Sequence, residues 1–334
     1  MATIKDISKY TGLALSTVSK YLNNGVVREK NKRKIEEALS VLDYRPNEAA
    51  RSLKTNKSMT IGILIPNLRS AFDAAIISMI EEELTRAGYS VIICGYRKDP
   101  SLESAKLRFL LNKRVDGLVV IPSGVVHEEL RTFQKENRPV VLIDRPLSGM
   151  DFDTVMIDNV ASSMEVVGAF LEEGHRSIGI ITGPEDVYTA RMRLKGYLEA
   201  HKRAGVSIDY GLVRYCDWSL ESGYSIAKEL LMEKRGMTAL IVCGDDMGLG
   251  ALKAIQDESF RIPDDISLAC FDLLQIAEIL RPRLATVEQP VLEIGRLGAK
   301  LLLERLAGDT SPVPSAPHIL KAVFNRRDSI LRLN

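Results

Sequence analysis

Apolar positions along this chain follow two rhythms, and the change between them falls near residue 60. Before it, short helical patterns dominate. Ile4 and Ile7 give a first helix its apolar face, Thr3 can cap it with Asp6 three residues on, and Gly12 breaks it. A second short helix runs from about Leu15 to Leu22, with Val18 and Leu22 four apart on the buried side, and Asn23-Asn24-Gly25 ends it. A third, about Lys30 to Leu42, places Ile35, Ala38, Leu39 and Leu42 on one face. Pro46 stops any continuation. Asn47 can cap a further short segment, Glu48 to Leu53, before the polar linker 54–58.

From Thr60 the pattern becomes apolar runs of strand length alternating with helical segments. Strands are predicted at 60–65, 90–95, 117–121, 140–144, 177–182, 239–243 and 267–272, with a further strand-and-helix stretch from Ala285 onward. Helical spacing fills 72–87, 101–113, 160–173, 189–204, 221–234 and 246–257. Continuous apolar strands separated by helices imply parallel sheets covered on both faces. This number of strands suits two doubly wound lobes better than one sheet, with a ligand at the carboxyl ends of the strands in the cleft between them.

Composition adds compartment and charge. No stretch is apolar for long enough to span a bilayer, and the start, MATIKDISKY, is charged where an export signal needs an apolar run, so no membrane partner and a cytoplasmic location are expected. Cys94, Cys216, Cys243 and Cys270 are far apart and sit in or beside apolar runs, which suits buried free thiols. The net charge of +1 conceals an asymmetry: residues 1–60 hold 12 Lys+Arg against 6 Asp+Glu, whereas the remainder holds 33 against 38. A basic unit joined to a near-neutral body fits nucleic-acid binding, although charge alone is equally consistent with a solvated basic surface.

In a helix-turn-helix the second helix enters the major groove, and its N-terminal residues reach base edges. That end here presents Leu15, Ser16 and Thr17, with Lys20 one turn later. Leu15 can meet a thymine methyl, Ser16 can donate or accept, and Lys20 can address guanine O6 and N7. Taken alone, the motif is also compatible with a solvated helix.

The segments TIKDISKYTGLALSTVSKYLNNG, LDYRPNEAARSLKT and TIGILIP, in this order and spacing, look like the N-terminus of the lac-repressor family. The resemblance continues through VDGLVVIPS, PVVLIDRP, GHRSIGIITGP, RMRLKGY, DWSLESGY, DDMGLGALKAI, IPDDISLACFD and LATVEQP, nearly the whole chain. It implies an α/β protein: an N-terminal all-α helix-turn-helix headpiece (1–45), a hinge helix and linker (46–58), and a two-lobed, doubly wound core of the periplasmic-binding-protein type (59–334). The implied N-lobe is about 59–160 with 290–320, and the C-lobe about 161–289 with 321–334.

The resemblance also implies roles. Leu15, Ser16 and Lys20 match base-reading positions, while Thr17, Ser19, Asn23, Arg28 and Tyr44 match positions that mainly hold phosphates. In the hinge, Leu53 matches a wedge between base steps, and Arg51 and Lys54 its electrostatic anchors. Without the resemblance, Leu53 reads as a linker hydrophobe packed on the core. Phe72, Asp144, Arg193, Trp218, Asp272 and Gln289 match the effector cleft, a ring of flat apolar faces and forked polar groups. The expected partners are double-stranded operator DNA, a sugar-like small-molecule effector with a purine-type one as the alternative, and a second copy of the chain. No cofactor and no metal are expected.

Several positions depart from the family pattern. Ser70-Ala71-Phe72-Asp73 replaces Asn-Pro-Phe-Phe, so Asp73 is expected to add a charge at the mouth of the cleft. Gly244-Asp245-Asp246 replaces Ala-Asn-Asp, with Asp245 either a ligand contact or part of a capped helix start, and Asp272-Leu273 replaces Asp-Asp. Ala14 stands where a hydroxyl residue usually precedes the recognition helix, so a cap is missing or comes from Ser16. An enzyme is not expected: G-x-G-x-x-G after the first strand, a P-loop, G-x-S-x-G and H-E-x-x-H are all lacking. His127, His175, His201 and His318 are scattered over predicted helix ends and loops, where exposed or capping roles are expected. The rivals are a sugar-binding receptor without a DNA role, which has no need of residues 1–58, and an enzyme using Asp144 or Asp272 as acid or base.

Overall fold

A computed structural model describes residues 2–22, 25–44, 57–233, 236–273, 276–314 and 316–333. The chain divides into two compact units, Met1–Ser58 and Met59–Asn334. In the first, helices α1 (Ile4–Thr11), α2 (Leu15–Leu22) and α3 (Glu29–Val41) enclose a small core. The Asp6 carboxylate accepts from both Thr3 N (2.8 Å) and Thr3 Oγ1 (2.7 Å), which closes the first turn of α1. Gly12, at φ 66°, ends it in the left-handed region. Ala14 starts α2 through its carbonyl, which accepts from Thr17 N at 2.9 Å and Val18 N at 3.2 Å. Ile7, Val18, Ile35 and Ala38 meet fully buried, and each large aliphatic among them contributes about 1.5–3 kcal/mol. The expected helix from Glu48 to Leu53 lies outside the described residues.

The second unit carries two sheets. The first contains β1 (Thr60–Ile65), β2 (Ser90–Gly95), β3 (Gly117–Val120), β4 (Val140–Ile143), β5 (Asp153–Ile157) and β11 (His318–Leu320), in the spatial order β11-β5-β4-β3-β1-β2 and all parallel. The second contains β6 (Ile178–Thr182), β7 (Val213–Tyr215), β8 (Ala239–Val242), β9 (Ser267–Phe271), β10 (Ala285–Glu288) and β12 (Val323–Asn325), ordered β12-β10-β9-β8-β6-β7, with only β12 antiparallel. Central strands such as β3, β4, β6, β8 and β9 are buried at every position, as unbroken apolar runs require when helices cover both faces.

Helices α4 (Ala71–Arg86), α5 (Pro100–Asn112), α6 (Glu128–Lys135) and α12 (Val291–Leu306) cover the first sheet. Helices α7 (Asn159–Glu172), α8 (Tyr188–Ala204), α9 (Leu220–Met232) and α10 (Asp245–Asp257) cover the second, and α11 (Ile276–Ile279) is a single turn beside it. The chain passes between lobes three times: at Asp158, at Gln289-Pro290 and at Lys321-Ala322.

Several features differ from the sequence reading, the unexpected edge strand β7 among them. Strand β5 was not expected, because its run opens on Asp153; that buried carboxylate accepts from Arg305 Nε of α12 at 2.8 Å. His175 is buried, not exposed. Its Nδ1 lies 2.9 Å from Thr238 Oγ1 and its Nε2 2.9 Å from the Leu331 carbonyl, which fastens the C-terminal segment to the second lobe. His201 is also buried, with Nδ1 2.9 Å from the Tyr197 carbonyl. Burial holds both imidazoles below the usual histidine range, favouring the neutral form. His127 opens α6 and pairs through Nε2 with buried Glu103 (2.9 Å), and His318 is half-buried in β11. All four cysteines are buried and free. Among the described residues no helix is long and apolar enough to cross a membrane.

Candidate DNA-reading helix and effector cleft

In α2 the amphipathic spacing sorts the side chains by face. Val18 is buried against α1 and α3, which turns Leu15, Ser16 and Lys20 outward, with Leu15 44% exposed. Thr17 and Ser19 flank this face half-buried. Tyr21 OH donates to Glu36 at 2.9 Å, so α2 is tied to α3 on its inner side. Gly25 N donates to the Lys20 carbonyl at 2.8 Å, and a Cβ there would meet that oxygen at 2.8 Å, so the residue after the helix has to be glycine. Arg28 is exposed just before α3, and Tyr44 packs half-buried on the core of this unit. Asn23, Arg51, Leu53 and Lys54 lie outside the described residues.

In the second unit a cavity of about 390 Å³ opens between the two sheets. Its wall is built from the segments that follow strand ends: Pro66 to Asp73 after β1, Tyr96 to Pro100 after β2, Ser123 and Val125 after β3, and Asp144-Arg145 after β4. The other lobe contributes Pro184 to Arg193 after β6, Asp217-Trp218 after β7, Gly244 to Asp246 after β8, Asp272 after β9 and Gln289 after β10. Parallel strands end together, so their carboxyl ends concentrate loop chemistry in one place. Phe72, Asp73, Asp144, Arg193, Trp218, Asp245, Asp272 and Gln289 are all brought to this wall.

The floor is buried and polar. Arg193, 3% exposed, donates from Nε to Asn159 Oδ1 and from Nη1 to the Cys243 carbonyl, both at 2.8 Å, and its guanidinium lies 4.1 Å over the Phe271 ring. Its Nη2 stands 3.8 Å from Asp272 Oδ2, which accepts from Gln289 Nε2 at 2.8 Å. The other oxygen, Asp272 Oδ1, is buried with no hydrogen-bond partner. Burial pushes this carboxyl up to about 7 against the pull of Arg193. On the facing lobe Asp144 Oδ2 accepts from both Arg145 Nε at 3.1 Å and Nη2 at 2.8 Å. Asp73 sits in the first turn of α4, behind the Ser70 cap that accepts its amide, and its Oδ2 accepts from Asn67 N at 3.3 Å. It is 5% exposed, so it belongs to the floor and not to the mouth of the cleft as expected. Burial, and then the Asp144 charge, push it up to about 7. Asp245 is the first residue of α10, and its Oδ1 accepts from Asp246 N at 2.9 Å.

The rim is aromatic and half-buried. A Cβ on Gly183 would stand 1.9 Å from Trp218 Cζ2, and one on Gly244 would stand 3.1 Å from Trp218 Cε3, so the indole lies against bare backbone at both places. Lys98 Nζ reaches across the cleft and donates to the Asp217 carbonyl at 3.2 Å. Lys98, Asp144, Trp218 and Asp272 all have φ between 60° and 74°, left-handed values that L-residues adopt at a cost of order 1–3 kcal/mol each. The rest of the fold holds these side chains in place against that strain.

Residues 3–47 match the bacterial regulatory proteins of the lacI family, and residues 167–330 match the periplasmic binding protein-like domain. The HTH-type transcriptional repressor PurR of Klebsiella pneumoniae (strain 342) is 34% identical over 309 residues, spanning 92% of this chain and 91% of that protein. The chain belongs to the lacI family. PurR of Photorhabdus laumondii subsp. laumondii is similar at 35% identity over 92% of this chain and 91% of its own length. A lac repressor dimer bound to operator and the anti-inducer ONPF superposes with a TM-score of 0.87 at 25% identity, covering 99% of each chain. A transcriptional regulator CelR–cellobiose complex gives 0.73 at 26% identity, covering 98% of this chain and 100% of that one. As a lacI-family protein this chain is a DNA-binding transcription regulator that responds to a small molecule, and not an enzyme.

The sequence reading did not name Lys98, Arg145, Asp186, Asp217 or Asp246 among the cleft residues of this lacI-family chain. Each follows a strand end, so scanning charged residues directly after every predicted strand would have found most of them.

Proposed function

We propose that the protein binds a palindromic operator as a homodimer, reads it with α2, and changes its operator affinity when a sugar-like effector occupies the cleft. Leu15, Ser16 and Lys20 would reach base edges, with Thr17, Ser19, Asn23, Arg28 and Tyr44 on the phosphates. Arg51, Leu53 and Lys54 would form the minor-groove hinge. The similar lac repressor, a dimer on its operator, supports the assembly. A cytoplasmic site of action goes with this role.

The observation that carries the effector reading is the convergence of eight side chains from two sheets on one cavity of a small ligand's size. Asp272, Arg193 and Gln289 form a forked acceptor–donor set suited to vicinal hydroxyls, and Trp218 offers a flat apolar face to a sugar ring. The cellobiose complex of the similar CelR and a ribose-bound lacI-family regulator from Enterococcus faecium point to the same ligand class. Ligand binding would shift the lobes between two arrangements, coupled to DNA by roughly 1–3 kcal/mol.

Selection of double-stranded oligonucleotides from a random pool tests the first half: enrichment of a palindrome is expected, and no enrichment with or without sugars overturns it. Trp218→Ala tests the second. Loss of the ligand response with ligand-independent DNA binding kept is expected, and a normal response would move the pocket elsewhere.

A further inference from the structure

The cleft carries far more negative charge than a neutral sugar can use. Seven aspartates line it (Asp73, Asp144, Asp186, Asp217, Asp245, Asp246 and Asp272) against three cations. All three cations are already engaged: Arg145 on Asp144, Arg193 on Asn159, the Cys243 carbonyl and Asp272, and Lys98 on the Asp217 carbonyl. Among the described residues no ion pair neutralises Asp73, Asp186, Asp245 or Asp246. Asp272 keeps one oxygen buried without a partner at the floor. Asp73 and Asp144 come from one lobe, Asp245 and Asp272 from the other, and their charges act on one another across the gap.

We propose that the effector bears a protonated amine, as an amino sugar does, and that Asp73, Asp144, Asp245 and Asp272 hold the ammonium group. This rests on the cleft being the effector site, and it names the chemical class that site takes. Ionised carboxylates only accept hydrogen bonds, and an ammonium brings three donors with one positive charge. A closed cleft around a neutral hexose would give these carboxylates hydroxyl donors but would leave their charge uncompensated away from water, which is unfavourable. A cation in their midst removes that penalty and draws Asp73 and Asp272, whose carboxyls burial otherwise pushes up to about 7, into the ionised form. An anionic ligand such as a sugar phosphate would find every nearby cation committed and the surrounding field repulsive. Bringing the lobes together over an ammonium also converts repulsion between their facing aspartates into attraction toward a shared charge, so ligand charge itself favours one lobe arrangement.

The test uses the purified full chain and thermal-shift and calorimetric titrations with glucosamine, galactosamine and mannosamine, the parent hexoses, their N-acetyl forms and the hexose phosphates. The expected result is a rise in melting temperature with at least one hexosamine, binding at least about tenfold tighter than its hexose and N-acetyl counterparts. That preference should collapse in Asp73→Asn and in Asp245→Asn, with unchanged far-UV circular dichroism showing that both variants fold. If no hexosamine stabilises the chain, or if a hexose or hexose phosphate binds as tightly, the amine proposal is overturned. A neutral or anionic ligand whose effect disappears in Trp218→Ala would leave the cleft as the effector site while removing the charge requirement. A ligand effect that survives both Trp218→Ala and Asp272→Asn would remove the cleft reading as well.

Discussion

Helix α2 and the cleft floor carry the residues proposed for recognition, yet they hold them in opposite ways. On α2, Leu15, Ser16 and Lys20 stand in solvent, and the packing that fixes them lies entirely on the other side, through Val18. In the cleft, Arg193, Asp272 and Gln289 are buried and bonded to one another and to backbone. The difference follows from partner size. A rigid duplex is read by side chains that reach outward and order on contact, whereas a small molecule is read by a wall arranged before it arrives. Mutations on α2 should therefore leave stability alone, and mutations in the floor should damage stability and recognition together.

The sharpest test is Arg193→Ala. Removing the guanidinium leaves Asn159 Oδ1, the Cys243 carbonyl and the Asp272 carboxylate without their donor, at a cost of about 3–5 kcal/mol. A urea midpoint equal to that of the wild type would break the comparison at its strongest point. Lys20→Ala should cost about 1–3 kcal/mol of operator affinity and relax preference at one base position, while unfolding free energy stays within about 0.5 kcal/mol. Unchanged base preference would remove Lys20 from the reading set. Asp6→Ala sharpens the contrast within the small unit, since Asp6 supports fold and not contact. Losing its bonds to Thr3 should lower the melting temperature, with operator preference kept as long as the chain is folded.

The last effect concerns pH. In the folded chain Asp73 and Asp272 are pushed up to about 7, whereas an unfolded carboxyl titrates near about 3.9. The folded state thus retains protons that the unfolded state has released. Their contribution to stability is present below about pH 4 and is lost as pH rises through about 7. Groups facing them include Asp144, Asp245, Arg145 and Arg193. Ligand-free melting curves across this window should show a steeper decline for the wild type than for Asp73→Asn; parallel curves would mean that Asp73 is ionised in the folded chain.

Much of this arrangement is legible in the order of residues. The strands β1, β3, β4, β6, β8 and β9 are unbroken apolar runs, so their number and burial can be read directly. The recognition helix is legible because Val18 and Leu22 fix which face is hidden. What escapes reading depends on distant partners. Asp153 looks like a loop residue until Arg305, 152 positions away, neutralises it inside β5. His175 looks exposed until Thr238 and Leu331 arrive at its two nitrogens. Lys98 faces Asp217 across the cleft only because two loops from different sheets meet, and its left-handed backbone has no local signature in a lysine. Asp73, expected at the mouth of the cleft, escapes because its place in the turn is visible in the sequence and its burial is not.

The three short passages between lobes have a mechanical consequence. Rotation about Asp158, Gln289-Pro290 and Lys321-Ala322 displaces each atom in proportion to its distance from that axis. Gln289 lies on the pivot, and Asn159, which steadies Arg193, lies one residue from it, so both hardly travel. Lys98 and Asp217, on the loops after β2 and β7 and away from these crossings, move with their own lobes. Contacts near the axle can select a molecule by shape without resisting motion, while contacts at the far end of the lever translate fit into the angle between the lobes.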